Sequence, residues 1–570
     1  MSAVSRKTDT TGPLVAILLA IWVIVGLLSV WTIAGWLSGT AKGFVNPVTY
    51  VREGNPWTGA HTTAAILVGV IVVAVIATVI FFTVRASRRR APADKAAPYM
   101  GTGRAIAALL PKALRKRHRR MGISDEFVGV TVGHTVAGRV PVRASYEDTV
   151  SVIAGPRRNK SASIVIPNVL AAPGCLVVTS VKPDILNETA AARSAIGTVF
   201  VFDPQRLASA HRGHDCWWDP LANVKTIEDA AVLADVFASA TFGADDTSDP
   251  FFPKTARTLM SRYIFAAAIT GHYLPTVLEW MNRENNRAPI VALEETHPHI
   301  AAEIEAMQEM TERTRSGVFV YARQALSFLS SDSVRAWVQP QTAQREFKPE
   351  QFVAATADTL YLFSEEGPAS AGPLLAAMTR AVLTAAENAA KQEPSGRLKR
   401  PLMAVLDEAG NICRIPDLPE KYTHYGSRGI VPVTILQTQE QGEKVWGTTG
   451  FGQLWASSTV RVFGGGNASN SFLRDLSELI GDYEYSEHTT STHDGKRTTN
   501  TIKKSERIMD VSDLAALSLG RMVVFASGCR PALVRSIPWW KDKALAKLNA
   551  TATATAAADV NTKRKDDDAV

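Results

Sequence analysis

The sequence predicts an α/β protein: a mostly parallel sheet that carries an inserted all-α domain and is preceded by two membrane-crossing helices. Three observations predict this. Two long charge-free apolar segments open the chain; short, continuously apolar, β-rich runs alternate with helical patterns from about Val128 onward; and between Phe202 and Leu402 the strand signal largely lapses. The 570 residues allow roughly three to five domains at ~100–200 residues each. With 46% apolar and 20% charged residues, the composition excludes a disordered or collagen-like chain.

Taken in order, residues 1–12 form a cytoplasmic N-terminus ahead of a first span at 13–37. No charge occurs between Asp9 and Lys42, and Leu14–Leu37 reads LVAILLAIWVIVGLLSVWTIAGWL. That is about 24 residues, or ~36 Å of helix, enough to cross a bilayer. A second charge-free gap between Glu53 and Arg85 holds Ala64–Val84, giving a span at 63–85 and a short external loop at 38–62. A signal peptide is the competing reading for the first segment. It is too long for a signal core, lacks a small-residue cleavage site and is followed by another span. Arg6 and Lys7 precede the first span, Lys42, Arg52 and Glu53 lie between the two, and the cluster RASRRR (Arg85–Arg90) follows the second. Both termini are therefore expected in the cytoplasm of a multi-pass cell-membrane protein. There Cys175, Cys216, Cys413 and Cys529 are expected as reduced thiols. His211, His214 and Cys216 lie close together in HRGHDCWW, but the spacing matches no zinc pattern and no metal site is assigned there.

The net charge of +8 suggests an anionic partner, yet its distribution narrows that suggestion. Residues 85–120 carry +11, residues 1–84 carry +2, and residues 121–570 carry −5. The surplus sits in a basic membrane-proximal linker, 86–125, whose helix Ile106–Arg120 can lie against anionic lipid headgroups. Any DNA contact by the body must come from a localised lining.

Continuous apolar strands follow at Thr149–Ala154, Cys175–Ser180, Thr198–Phe202, Leu402–Leu406, Val431–Leu436, Thr459–Phe463 and Arg521–Ser527. Runs of this kind are buried on both faces, as in a parallel sheet covered by helices. A nucleotide-binding domain is thus expected at 126–225 and 350–545, with the all-α insertion at 226–349. The segment 546–570, beginning with alternating Thr and Ala, is expected to be a disordered tail.

Three strand ends carry chemistry. The first strand runs into Gly155, Pro156, Arg157, Arg158, Asn159, Lys160 and Ser161 and then a helical pattern, the strand–loop–helix context that cradles phosphate. The pattern G-x-x-x-x-G-K-[ST] is departed from twice: Asn159 stands for the second glycine and Ala154 for the first. Asn is the non-glycine residue that best tolerates positive φ. The second element is Asp407-Glu408 after LMAVL: an aspartate can hold the shell of a Mg²⁺ ion and the adjacent glutamate can polarise water. The third is Gln437 after VPVTIL, suited to sensing a γ-phosphate or orienting water. Each alone is more often an ordinary loop start; the three at the ends of separate buried strands are far more specific.

GPRRNKSASIVIPNVL, VTSVKPDIL, FDP, WWDPL, LDEAGN, GSRGIVPVTILQTQEQ and LSLGRMVVFASGCRPALVRSIPWW, following two N-terminal spans, together resemble a TraG/TraD-type coupling protein. These are the membrane-anchored conjugative DNA-transfer ATPases of type IV secretion systems, and the likeness covers almost the whole chain. It implies a RecA-like P-loop ATPase core, a substrate-contacting all-α insertion, a homo-hexameric ring, ATP and Mg²⁺ as cofactors, and relaxase-bound single-stranded DNA and secretion-channel proteins as partners. It further implies that Lys160 binds the β/γ-phosphates, Ser161 and Asp407 hold Mg²⁺, Glu408 is the catalytic base and Gln437 the sensor. Arg428 is the candidate for an arginine supplied to a neighbouring copy's site, and Arg157 and Arg158 for phosphate contact. Two other readings stay open: an ATP-binding docking scaffold that hydrolyses poorly, given Asn159 and Ala154, and an FtsK-like DNA pump, weakened by the lack of further spans and of a winged-helix pattern.

Overall fold

A computed structural model of the chain describes residues 24–25, 28–39, 43–88, 91–123, 128–208, 216–242, 250–342, 344–367, 370–466, 468–493 and 496–567. Those up to Lys95, with Asp482–Arg507, form one unit by their contacts; Ala96–Gly481, with those from Ile508 on, form the other. The strands are β1 (Val130–Thr135), β2 (Pro141–Ala144), β3 (Val150–Ile153), β4 (Leu176–Ser180), β5 (Val199–Phe202), β6 (Cys216–Trp217), β7 (Arg345–Glu346), β8 (Thr359–Phe363), β9 (Leu402–Leu406), β10 (Ile430–Leu436), β11 (Val460–Phe463), β12 (Asp482–His493), β13 (Lys496–Arg507), β14 (Arg521–Ala526) and β15 (Ala532–Arg535).

In the first unit, the helix Gly59–Arg88 contains a 20-residue stretch, Gly59–Thr78, apolar and long enough to cross a membrane. Among the described residues it is the one such helix. The span expected at 13–37 falls mostly outside the described residues; Leu28–Leu37 is helical but too short to cross alone. Val30 and Ala34 from that segment pack with Ala64 and Val68 of the longer helix, small residues that let the two backbones approach. The same unit contains the β12–β13 hairpin, paired from Asp482↔Arg507 to His493↔Lys496.

The second unit is built on an 11-stranded sheet in the order β2-β1-β15-β14-β11-β3-β10-β9-β4-β8-β5. From β11 to β5 all neighbours are parallel, and β14, β15, β1 and β2 extend the sheet antiparallel. Strands β3, β4, β8, β9 and β10 are buried at every residue, as continuous apolar runs with helices on both faces require. Parallel pairing of β3 with β10 and of β10 with β9 sets Ile153 beside Leu436 and Thr434 beside Leu406. The loops that follow these three strands therefore emerge side by side at one sheet edge, where ligands of parallel sheets bind.

Helices Ile227–Thr241, Phe251–Ile269, Leu274–Met281, Ala288–Glu294, Pro298–Gln308 and Glu312–Ala325 lie between β6 and β7, which pair in parallel. The short two-strand pairing gathers the entry and exit of this helical stretch. Thr226 opens the first of these helices with a capping box to Asp229.

Two expectations need correction. The expected basic helix is present as Pro111–Arg120, after the short turns Gly103–Leu109, but much of the segment 86–125 is not a linker, because Ile106, Leu109 and Ile123 are buried in the core of the large unit. Gly101 N–H donates to the Pro531 carbonyl at 2.7 Å, Arg117 pairs with Glu147, and His118 stacks on Tyr146. The apolar residues spaced among the basic ones supply that packing. Nor is 546–570 a disordered tail as far as it is described, since one helix runs from Lys543 to Asp567. Alanine has the highest helix propensity, and Leu545 and Asn549 are buried at the start of that helix, with Leu548 and Ala552 packed against the core.

Candidate functional site

The loop after β3 continues the sheet briefly: Ala154 N–H donates to the Leu436 carbonyl at 3.0 Å and Gly155 N–H to the Gly465 carbonyl at 2.8 Å. Arg157 and Asn159 then both adopt positive φ, +58° and +66°. Asn159 thus occupies the left-handed conformation that a glycine ahead of the lysine supplies in the expected pattern. Its carbonyl accepts from the Ser163 backbone at 3.1 Å and hydroxyl at 2.6 Å. The helix behind it opens as a wide turn, Ser161–Val165, and tightens at Ile166–Leu170. Pro167 cannot donate the usual backbone bond there, which favours the wider turn before it. Asn168, of the IPN sequence, is buried and clasps β1: Thr131 N–H donates to its Oδ1 at 2.6 Å, and its Nδ2 donates to the Thr131 and Ile164 carbonyls at 3.0 and 2.8 Å.

Lys160 is 9% exposed; its Nζ donates to the Ala154 carbonyl at 2.9 Å and stands 4.0 Å from Glu408 Oε1. Ser161 is half-buried at the first helical position. Glu408 sits at positive φ, +56°, ahead of the short helix Ala409–Ile412. Gln437 Nε2 donates to Glu408 Oε2 at 2.5 Å, and Asn411 Nδ2 donates to the same oxygen at 3.2 Å. Asn411 also bonds Glu366 and accepts from Gln441 Nε2, while Gln437 N–H donates to Gln441 Oε1 at 2.8 Å. One oxygen of the acid is therefore bonded from two elements, while the other faces Lys160 at 4.0 Å.

Asp407 is buried, and its carbonyl accepts from Thr179 Oγ1 at 2.8 Å, but its carboxylate Oδ1 has no hydrogen-bond partner. Burial first, then the negative charge of Glu408, pushes the carboxyl up to about 7, with Lys160 opposing. A buried carboxylate oxygen without a donor fits a divalent cation, which would repay the lost hydration.

The structure thus brings together Gly155, Asn159, Lys160, Ser161, Asp407, Glu408 and Gln437 at one sheet edge. Pro156 and Arg157 are exposed on the same loop. Arg158 is turned away: its Nη1 donates to the Leu517 carbonyl at 2.6 Å, and its guanidinium lies over Gly465. Arg428 is not brought to this cluster. It ends the helix Leu418–Arg428 before β10, bonded to Glu387, so the seven residues of β10 separate it from Gln437 by on the order of 20 Å.

Sequence reasoning missed Asn411, Gln441 and Glu366, and also the triplet Gly464-Gly465-Gly466 after β11. A Cβ at Gly466, whose φ is +120°, would stand 2.7 Å from the Gly155 backbone, and one at Gly464 2.7 Å from Ala154 Cβ. Three glycines directly after an apolar strand were a readable signal of close backbone approach.

A parallel sheet with a lysine loop, an acidic pair and a glutamine at adjacent strand ends has the fold of the P-loop α/β class. Within that class, the chain belongs to the conjugative DNA transfer family of type IV secretory systems, whose sequence model matches residues 108–563; it is a TraG/TraD-type coupling protein. Its fold is similar to that of the bacterial conjugative coupling protein TrwBdeltaN70: the unbound monoclinic form shares 16% identity at a TM-score of 0.52, covering 75% of this chain and 92% of that one. The trigonal form in complex with sulphate gives 18% identity, the same coverage and a TM-score of 0.52. Plasmid coupling protein TrwB in complex with the ATP analogue ADPNP gives 17% identity and a TM-score of 0.50, covering 74% and 92% of the two chains. No curated protein matches this sequence.

Proposed function

We propose that this coupling protein is a membrane-anchored, ATP-driven DNA translocase that delivers a relaxase-bound single strand to a type IV secretion channel, working as a homo-hexamer at the cell membrane with both termini cytoplasmic. The observation that carries this reading is the convergence of Lys160, Asp407, Glu408 and Gln437 on adjacent strand ends. A solved coupling protein of similar fold in complex with an ATP analogue supports the choice of nucleotide.

In this reading Lys160 leaves the Ala154 carbonyl to hold the β/γ-phosphates, joined by backbone N–H groups of the 155–161 loop. Ser161 and Asp407 would hold Mg²⁺, which would neutralise developing phosphate charge. Glu408, fixed by Gln437 and Asn411, accepts the proton of the attacking water, and Gln437 senses the γ-phosphate from the neighbouring strand. At the membrane, Lys112, Arg115, Lys116, Arg119 and Arg120 line a cavity of about 400 Å³ suited to anionic headgroups.

The test is phosphate release by the full chain in lipid nanodiscs, with and without single-stranded DNA. DNA-stimulated turnover that Glu408→Gln removes is expected. Turnover no higher than in the Glu408→Gln protein would leave a docking scaffold instead.

A further inference from the structure

We infer that Asn411 is a positioning residue for Glu408: it is the donor that keeps the carboxylate aimed at its water when nucleotide fills the site. The inference rests on the reading of Glu408 as proton acceptor and names what controls it. Both donors and the acceptor oxygen of the Asn411 amide are in use. Its Nδ2 donates to Glu408 Oε2 at 3.2 Å and to the exposed Glu366, and its Oδ1 accepts from Gln441 Nε2. Nδ2 has two protons, one for each carboxylate, and lies between two groups that would otherwise repel each other. A hydroxyl at 411 has a single proton to give, and an aspartate there would set a third carboxylate between the other two.

The anchors of this amide lie away from the lysine loop. Glu366 follows β8, which stands four strands from β3 in the sheet, or roughly 19 Å at ~4.8 Å per strand. Gln441 sits in the first turn of the helix Gln439–Ser457, and its Oε1 takes the Gln437 backbone N–H at 2.8 Å. Gly410 makes room for that crossing, since a Cβ there would stand 2.5 Å from Gln441 Cγ. The short helix is closed by Asn411 and Ile412 N–H, which donate to the Glu408 carbonyl at 2.9 and 3.1 Å, and by Arg414 Nε, which donates to the Gly410 carbonyl at 2.9 Å. Asn411 is therefore fixed by groups to which no phosphate contact is assigned.

The other two neighbours of the acid are not fixed in this way. Lys160 Nζ, 4.0 Å from Oε1, and Gln437 Nε2, 2.5 Å from Oε2, both belong to residues assigned to the phosphates. When they turn to the nucleotide, Asn411 is the donor left on Glu408. A glutamate side chain has three torsions, and a general base must stay within about 2.6–3.2 Å of the proton it takes, directly or through one water. One fixed N–H on Oε2 supplies that aim and leaves Oε1 to face the water.

The test measures phosphate release at saturating ATP and binding of a fluorescent ATP analogue, on the full chain in lipid nanodiscs. Asn411→Ala is expected to lower kcat about 10–100-fold while the analogue binds within about threefold of wild type, because aim is lost and phosphate contacts are not. The double variant Asn411→Asp/Glu366→Gln separates aim from scaffolding. In it the new carboxylate at 411 accepts from the new amide at 366 and from Gln441, so both anchoring bonds return and only the donation to Glu408 is missing. It should stay as slow as Asn411→Ala, and it decides the matter if Asn411→Ala does not fold. A double variant restored to wild-type turnover would overturn the inference, showing Asn411 to be a tie between loops. So would Asn411→Ala with wild-type kcat, whether or not its analogue binding is weakened. Glu408→Gln, run beside them, tells the two readings apart. Wild-type turnover no higher than in that variant removes Glu408 as the base and the inference with it, whereas an inactive Glu408→Gln beside a fully active Asn411→Ala removes the inference alone.

Discussion

Glu408→Gln is expected to separate nucleotide binding from turnover, moving them in opposite directions. In the folded protein Glu408 Oε1 lies 4.0 Å from Lys160 Nζ, with side-chain exposures of 13% and 9%. Two unit charges at that distance attract by ~1 kcal/mol in water and ~4 kcal/mol at an effective dielectric constant of 20. An incoming γ-phosphate competes with that carboxylate for the lysine and is repelled by it. Removing the charge while keeping the shape should return about 1–2 kcal/mol to phosphate binding, or roughly 5–30-fold in affinity. Gln437 and Asn411 keep an oxygen to bond at position 408, so the loop is not expected to collapse. The chemical step loses its proton acceptor and should slow ~10²–10⁴-fold. Titration with a fluorescent ATP analogue in Mg²⁺, beside phosphate release on the same full-chain preparation, reads both effects. Affinity weakened tenfold, or turnover within tenfold of wild type, would refute the assignment of Glu408 as the base beside a phosphate-binding Lys160.

Other substitutions test the frame of the site. Asn159→Gly, at a φ of +66°, should leave ATP affinity unchanged or improve it; a marked loss would mean that the loop register is misassigned. Gly466→Ala forces a Cβ against the Gly155 backbone at positive φ, so it should weaken ATP binding at least tenfold, and unchanged binding would show that the glycine triplet does not shape the loop. Removing Thr555–Val570 should leave the melting temperature within a few degrees, whereas removing Lys543–Val570 uncovers the site of Leu545, worth about 1.5–3 kcal/mol for that side chain, and should lower it clearly. Equal melting temperatures for the two truncations would show that the C-terminal helix does not brace the core.

What could be read in the sequence follows from what each element buries. Strands β3, β4, β5, β9, β10, β11 and β14 are continuous apolar runs, and each was legible for that reason. Strand β8, TLYLF, is equally buried but is a five-residue run just after the long helical stretch. In β1, Gly133 and a bulge between Thr131 and Gly133 break the period. The β12–β13 hairpin has almost no apolar residue, so hydrophobic periodicity could not find it. At the site, Lys160, Asp407, Glu408 and Gln437 were legible because each directly follows a buried strand. The bonds from Asn411 and Gln441 depend on how the backbone turns at Glu408, which no residue pattern encodes.

That turn also bears on whether the 155–161 loop is an ordinary surface loop, as a bare N-K-S sequence usually is. Among the described residues, five non-glycine positions have positive φ: Arg139, Arg157, Asn159, Arg206 and Glu408. Three of the five lie in the lysine loop or the acidic pair. Such conformations cost of the order of 1–3 kcal/mol each and persist, even at exposed Arg157 and Asn159, only when the surrounding structure over-determines them. Here the surroundings can be named: Gly465 and Leu436 grip the start of the loop, the Asn159 carbonyl is taken by Ser163, and Glu408 is held between Lys160, Gln437 and Asn411. Strain concentrated on both sides of one gap, and fixed from both sides, is what a site shaped in advance for a phosphate requires. The departures at Ala154 and Asn159 leave that shape intact, because the left-handed turn ahead of Lys160 is made without glycine.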